Sequence, residues 1–165
     1  MLNTNIFISN RAFSLMMTDI SRYPNVEAGG LILGIKEDNI YYVIEAIEAG
    51  DDASRSAGTL LCDEKNMIHM ISTLVNIYDP QIDVIGVWHK HNNCNNPPFS
   101  DTDMELHKKI QGWINSDVIS ILFQKIDDSE YKMKVFFIDK QGSIIEKDFL
   151  IMDINNIVKY RFGHY

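Results

Sequence analysis

Residues 82–103 read IDVIGVWHKHNNCNNPPFSDTD and bring three kinds of local structure into direct succession. Residues 82–88 form a nearly unbroken apolar run, which is typical of a buried β-strand. Residues 92–99 are rich in Asn and Pro and are predicted to form a loop, and Ser100 starts an amphipathic pattern that predicts a helix to about residue 116. A buried strand is therefore expected to end at two histidines, with a helix beginning one loop later.

Outward from this stretch, the chain alternates between strand-like and helix-like patterns. In chain order the patterns predict a strand at 6–8, a helix at 11–23 that ends before Pro24, a hairpin of strands at 29–34 and 40–44, an exposed loop at 50–58, a helix at 63–78, and strands at 118–123, 132–138 and 143–151. The last dozen residues carry no assignment. The mixture predicts an α+β (mixed α/β) fold, in one domain that spans residues 1–165.

Composition and charge exclude several classes of protein. The chain has 165 residues, 45% of them hydrophobic, and a formal net charge of −8. Such a composition predicts a folded domain, and the acidic excess argues against a nucleic-acid partner, because phosphate binding requires Lys and Arg. No apolar run approaches the about 18 residues of a membrane span, and no export signal is apparent. Cys62 and Cys94 are far apart in the chain, which favours a reducing cytoplasm.

Two histidines and one aspartate are candidate metal ligands. His89 and His91 alternate with Lys90 along a strand, so their side chains are expected to share one face of the sheet. Asp103, on the following helix, can supply a third ligand, and two His with one carboxylate is the ligand set of hydrolytic zinc sites. Ser100 and Asp103 are equally well explained as a capping box at the start of the helix, and the two interpretations are compatible.

Glu27 is a candidate general base, but its spacing in the sequence does not show whether it lies near the two histidines. A lone Glu before Gly29 and Gly30 is more often a solvated surface acid, but a hydrolytic metal site needs a base that is not itself a ligand. The motifs EAGGLILG at 27–34, GVWHKH at 86–91 and S-x-x-D at 100–103 together resemble the signature of the JAMM (MPN-plus) metalloproteases. The resemblance spans about residues 6–125, and it is strongest to short prokaryotic stand-alone members, some of them encoded in antiviral defence operons.

The resemblance implies a fold, a cofactor and a reaction. The fold would be a central curved, mostly antiparallel sheet flanked by about three helices, in a cytidine-deaminase-like layout. His89, His91 and Asp103 would hold Zn²⁺, Glu27 would act as general base and acid, and Ser100 would stabilise the oxyanion. The substrate would be a peptide or isopeptide bond after the C-terminus of a ubiquitin-like protein, and E1-like and E2-like enzymes of the same operon would be partners.

Several residues leave alternatives open. Lys90 stands where the family usually has Ser or Thr; it is expected to point away from the metal and to reach substrate or solvent. Asn92 stands where the family usually has Pro, and the loop to Ser100 is one residue longer than usual, so Asp101 is a fallback ligand. Cys94 is a conceivable nucleophile. His107, four residues after Asp103, can face either the site or solvent, and solvent is expected.

Other functions compete with hydrolysis of ubiquitin-like conjugates. A non-catalytic MPN scaffold, a different metallohydrolase, and a JAMM peptidase that processes a small sulfur-carrier protein are the alternatives. In each peptidase case an extended tail is expected to bind beside the site, between the hairpin at 31–44 and the loop at 92–99.

Overall fold

The computed structural model describes residues 5–78, 82–92, 98–127 and 130–157. Within these ranges the chain forms ten strands and three helices, followed by one helical turn at 154–157. In chain order the elements are β1 (Ile6–Ser9), α1 (Asn10–Arg22), β2 (Gly29–Glu37), β3 (Ile40–Glu48), β4 (Ser54–Arg55), β5 (Leu60–Leu61), α2 (Glu64–Ile77), β6 (Asp83–His91), α3 (Asp101–Ile114), β7 (Val118–Lys125), β8 (Tyr131–Ile138), β9 (Ile144–Lys147) and β10 (Phe149–Met152).

Eight of these strands form one mixed sheet in the order β10-β1-β3-β2-β6-β7-β8-β9. β1 pairs in parallel with β10 and β3, and β6 pairs in parallel with β7, while the four other pairings are antiparallel. β4 and β5 form a separate two-stranded ribbon. The fold is thus mixed α/β, with β6 in the interior of the sheet.

Side-chain alternation divides the core into two layers, one on each face of the sheet. On one face α1 packs with Met16 and Ile20 against residues such as Ile32 and Trp88. On the other face α2 and α3 pack against the alternate residues of the same strands, including Val87. His89 and His91 follow Val87 by two and four residues in the same strand, so their side chains project from the same face as Val87, the face that carries α2 and α3.

Local capping explains where the helices begin. The side chains of Ser9 and Asp63 accept hydrogen bonds from the third residues of α1 and α2, at 3.0 and 3.1 Å. Ser100 and Asp103 form a complete capping box at the start of α3, and Asn115 ends that helix in the left-handed conformation. Each satisfied backbone group favours the observed helix start.

The structure confirms the predicted helices and strands and corrects details. The single strand predicted at 143–151 is two strands, because Asp148 separates β9 from β10, and these pair with β8 and β1 on opposite sides of the sheet. The loop predicted at 50–58 contains β4, and the strand predicted from residue 82 begins at Asp83. No helix among the described residues is long and apolar enough to cross a bilayer.

Candidate metal centre

The C-terminal end of β6 presents two imidazoles to the same space. The Nε2 atoms of His89 and His91 lie 3.0 Å apart, and the ring centroids lie 4.6 Å apart. Both side chains are about nine-tenths buried, with exposed fractions of 11% and 8%. The shared face predicted from strand alternation is confirmed, and Trp88 is buried on the opposite face as expected.

Asp103 reaches the same point from the first turn of α3. Its Oδ1 lies 3.6 Å from Nε2 of His89, and its Oδ2 lies 3.5 Å from Nε2 of His91. Ser100 donates to Oδ2 from both its backbone N–H and its hydroxyl, each at 2.7 Å. The capping box therefore fixes the carboxylate beside the imidazoles. The capping interpretation of the Ser100 and Asp103 pair is confirmed, and the position of Asp103 is compatible with a role as metal ligand. Asp101 is exposed and lies outside this cluster.

The three side chains lie close enough together to share one metal ion. Zinc bonds of about 2.0–2.2 Å in tetrahedral geometry place ligand atoms about 3.3–3.6 Å from each other. The two Nε2 atoms lie 3.0 Å apart, and the two oxygens of Asp103 each approach one of them, Oδ1 that of His89 at 3.6 Å and Oδ2 that of His91 at 3.5 Å. One ligand atom from each residue lies within 4.8 Å of the others. Of the residues that the structure describes, only His89, His91 and Asp103 form such a group of three potential ligands. The residues present could therefore hold a divalent metal ion.

Burial sets the charge states that metal binding requires. Desolvation lowers the pKa of His89 to about 3, and the nearby charge of Asp103 offsets this only in part. Burial alone would raise the pKa of Asp103, but the hydrogen bond from His91, the charge of His89 and the hydrogen bonds from Ser100 hold it below its usual value. At neutral pH the cluster thus offers a neutral His89 imidazole and an ionised carboxylate, which are the metal-binding forms.

Glu27 lies on the connection between α1 and β2 and lines the same groove as His89, Ser100 and Asp103. Its backbone N–H donates to the carbonyl oxygen of Ser56 at 2.8 Å. Burial raises the pKa of its carboxyl group, the charge of His91 lowers it, and the charge of Asp103 raises it again. A half-buried carboxylate with a raised pKa beside a metal site has the properties of a proton-transfer group.

The groove has a volume of about 600 Å³ and continues away from the metal cluster between α2 and α3. Its apolar walls come from β5, α2 and α3, and consist of Leu60, Leu61, Met67, Ile68, Ile71, Leu106, Ile110 and Trp113. Leu61, Ile68 and Trp113 are more than half exposed. The walls were expected from the hairpin at 31–44 and the loop at 92–99. The hairpin contributes Gly30 and Leu31, while residues 93–97 of the loop, including Cys94, lie outside the described residues.

Two expectations about polar side chains are wrong. Lys90 does point away from the histidines, but it reaches neither substrate nor solvent; it is fully buried and donates from Nζ to the carbonyl oxygen of Tyr23. His107 is also buried, with Nε2 3.0 Å from Oγ of Ser120 and its ring against Phe99. Both side chains pack into the interior because a neighbouring element supplies a polar partner there.

Sequence reasoning missed the residues that hold Glu27. Arg55 donates from Nη1 to the carbonyl oxygen of Glu27 at 3.2 Å, and Ser56 accepts its N–H. Both belong to the small-residue segment 50–58, which reads as an ordinary surface loop. The one signal there was a single arginine among small residues, which is too common to identify a buried contact.

No known protein-family profile matches this chain, and no curated protein matches it. Among solved structures, the chain is similar to the solution structure of protein DSY2949 from Desulfitobacterium hafniense, a target of a structural genomics consortium. The two are 16% identical, the match covers 97% of this chain and 99% of the other, and the TM-score is 0.65. This likeness shows that the two chains share a fold.

Proposed function

We propose that this protein is a zinc-dependent JAMM peptidase that cleaves peptide or isopeptide bonds after the C-terminus of a ubiquitin-like protein. The observation that carries the proposal is the convergence of His89, His91 and Asp103 at a groove that Glu27, His89 and Asp103 line. The motif resemblance supports the same assignment, because Glu27, His89, Ser100 and Asp103 line this one groove and His91 lies beside His89. On this proposal the mixed α/β fold is of the MPN type.

Each polar residue then has a role. A bound Zn²⁺ would polarise the scissile carbonyl and lower the pKa of water. Glu27 accepts a proton from the attacking water and delivers it to the departing amine, for which a raised carboxyl pKa is suited. Ser100 places a hydroxyl beside Asp103 at the N-terminus of α3. On release of its hydrogen bond to Oδ2 of Asp103, this hydroxyl can donate to a developing oxyanion. No side chain is acylated in this scheme.

The groove suggests how a substrate lies. A narrow apolar channel that opens beside the metal cluster suits an extended tail, with the scissile bond at Glu27 and the preceding residues between α2 and α3. The partners would be a ubiquitin-like protein or its conjugates, with E1-like and E2-like enzymes, in the cytoplasm. A sulfur-carrier precursor would use the same site.

The test is hydrolysis of ubiquitin-like fusions by the zinc-loaded protein and by Glu27→Gln. The variant is expected to bind one zinc ion, as the wild type does, and to lose at least about a hundredfold in kcat, the usual contribution of a general base. Glu130→Gln changes an exposed carboxylate immediately before β8; it is the matched control and should hydrolyse normally. Full activity of Glu27→Gln would contradict the assigned base. A wild-type protein that binds zinc and cleaves no ubiquitin-like fusion would instead favour the non-catalytic scaffold.

A further inference from the structure

The segment that carries Glu27 has no regular secondary structure of its own. It connects Tyr23, at the end of α1, to Gly29, at the start of β2. A general base must lie within about 3 Å of the proton that it moves, or reach it through one water. The backbone of residues 23–27 must therefore be fixed relative to β6, which carries the two histidines.

Lys90 connects these two parts of the molecule directly. It lies between the two histidines in β6, and its side chain projects from the face of the sheet opposite theirs. It is fully buried, its Nζ donates to the carbonyl oxygen of Tyr23, and the same atom lies 5.7 Å from the ring centroid of Tyr131. A buried ammonium group is unfavourable, and an apolar side chain would fill this space at lower cost. Packing alone does not explain a lysine here.

Arg55 contacts the same segment at its Glu27 end. Its Nη1 donates to the carbonyl oxygen of Glu27 at 3.2 Å, and its guanidinium carbon lies 4.1 Å from the ring centroid of Tyr23. Arg55 is itself buried beside Asp19, with 3.6 Å between Nη2 and Oδ2. Two buried cations thus contact the two ends of a five-residue segment, and the carboxylate of Asp19 compensates part of their charge.

We propose that Lys90 and Arg55 are positioning residues that clamp residues 23–27 at both ends and hold Glu27 in place at the metal centre. Lys90 fixes the Tyr23 end to β6, the strand of the histidines. Arg55 fixes the Glu27 end to the β4–β5 ribbon. The consequence for catalysis rests on the proposed function, whereas the consequence for the order of the segment does not.

The first experiment measures hydrogen exchange of the Glu27 amide in the metal-free protein, with Lys90→Met and Arg55→Met. Methionine keeps much of each side chain's apolar volume and removes the charged donor. The Glu27 amide, which is bonded to Ser56, is expected to exchange about tenfold faster in both variants, because a charged hydrogen bond that restrains the segment is lost. The exchange rates of β7 amides, such as those of Ile119 and Ile121, are expected to change only as much as the global free energy of unfolding changes.

Arg11→Met is the matched control. Arg11 pairs with the buried carboxylate of Glu45 at 2.7 Å and does not contact residues 23–27. This variant also removes a cation from a buried acid, so it should lower global stability without selectively releasing the Glu27 amide. Equal acceleration of the Glu27 amide in all three variants would overturn the clamp, as would unchanged exchange in Lys90→Met and Arg55→Met.

Steady-state kinetics separate positioning from folding. For both Met variants kcat is expected to fall about tenfold while KM and the zinc stoichiometry stay at wild-type values. If the Met variants do not fold, Lys90→Arg and Arg55→Lys keep the charge and displace the donor, and the Glu27 amide is again expected to exchange faster than the β7 amides; exchange in step with β7 would refute the clamp. Absence of hydrolysis in the wild type would reject the proposed function and leave the exchange result to decide the clamp.

Discussion

Burial is the main cause of the shifted pKa values of two histidines at the candidate metal centre. Desolvation lowers the pKa of His89 to about 3 and that of His107 to about 4, each against a usual value of 6.5. His107 lies beside the cluster, and its charge would repel that of His89. A neutral His107 bonded to Ser120 therefore keeps positive charge away from the ligands, although it does not belong to the ligand set.

These histidine shifts predict acid sensitivity of the metal-free protein. In the unfolded chain both histidines gain protons below about pH 6.5, whereas in the folded protein they stay neutral to about pH 4. The unfolded state binds more protons in this window, so the free energy of unfolding should fall as pH falls, by about 1.4 kcal/mol per pH unit for each histidine. His107→Gln is expected to reduce the pH slope of the free energy of unfolding by the contribution of one histidine, about 1.4 kcal/mol per pH unit. Urea unfolding between pH 6.5 and 4.5 measures this slope.

Comparison with the wild type isolates His107 in that experiment. Burial raises the pKa values of Asp19 and Glu27, and these groups change stability with pH in the opposite direction. They are present in both proteins, so their contributions cancel in the difference. An identical pH slope in His107→Gln and wild type would show that His107 is protonated in the folded state.

At the scale of elements, β6 is packed tightly enough to exclude side chains at certain positions. A Cβ atom at Gly86 would lie 1.8 Å from the carbonyl oxygen of Ile119 on β7, and one at Gly30 would lie 1.9 Å from that of Ile47 on β3. These neighbours are backbone atoms in the interior of the sheet and cannot move aside without breaking strand pairing. The glycines therefore allow β2, β6 and their partners to approach closely beside the metal cluster.

A pair of alanine substitutions tests this close approach. Gly86→Ala is expected to lower the free energy of unfolding by more than about 2 kcal/mol, because overpacking forces the backbones of β6 and β7 apart. Gly112→Ala is the control, since Gly112 lies within α3 with open space at its Cβ position, and it should raise stability by up to about 1 kcal/mol through helix propensity. Urea unfolding of both variants measures whether the free energy of unfolding falls in Gly86→Ala and rises in Gly112→Ala. A Gly86→Ala protein as stable as wild type would contradict the packing.

Local patterns could predict most elements and the ligand triad. Strand parity placed His89 and His91 on one face, and the capping pattern placed Asp103 at a helix start, because both rules depend only on neighbouring residues. The position of Glu27 followed from a family resemblance, since its approach to the cluster depends on strand pairing between distant segments. The buried partners of Lys90, Arg55 and His107 could not be predicted, because a charged residue reads as exposed until tertiary structure supplies its partner.

At the scale of the whole molecule, the chain brings the two ends of its large sheet together. β9 pairs with β8 at one edge and β10 pairs with β1 at the other, yet Asp148 alone separates β9 from β10. Strands joined by one residue must lie near each other, so the sheet curves until its edges approach. In the strand order β6 is an interior strand that is paired on both sides, so the two histidines project from a strand that its neighbours hold in place. Such support suits a site that depends on fixed ligand positions.

A metal ion at the cluster would add a cross-link between β6 and α3 across the loop that joins them. Because the ligands are already convergent, zinc should bind the folded protein much more tightly than the unfolded chain and raise its stability by mass action. At a free zinc concentration 100 times the dissociation constant the gain is about 2.7 kcal/mol, which for a chain of this length corresponds to a rise in Tm of about 5–10 °C. Calorimetry with zinc and with a chelator measures the shift. His91→Asn, which removes one ligand, should show little of it, and an equal rise in that variant would mean that zinc stabilises the protein from some other site.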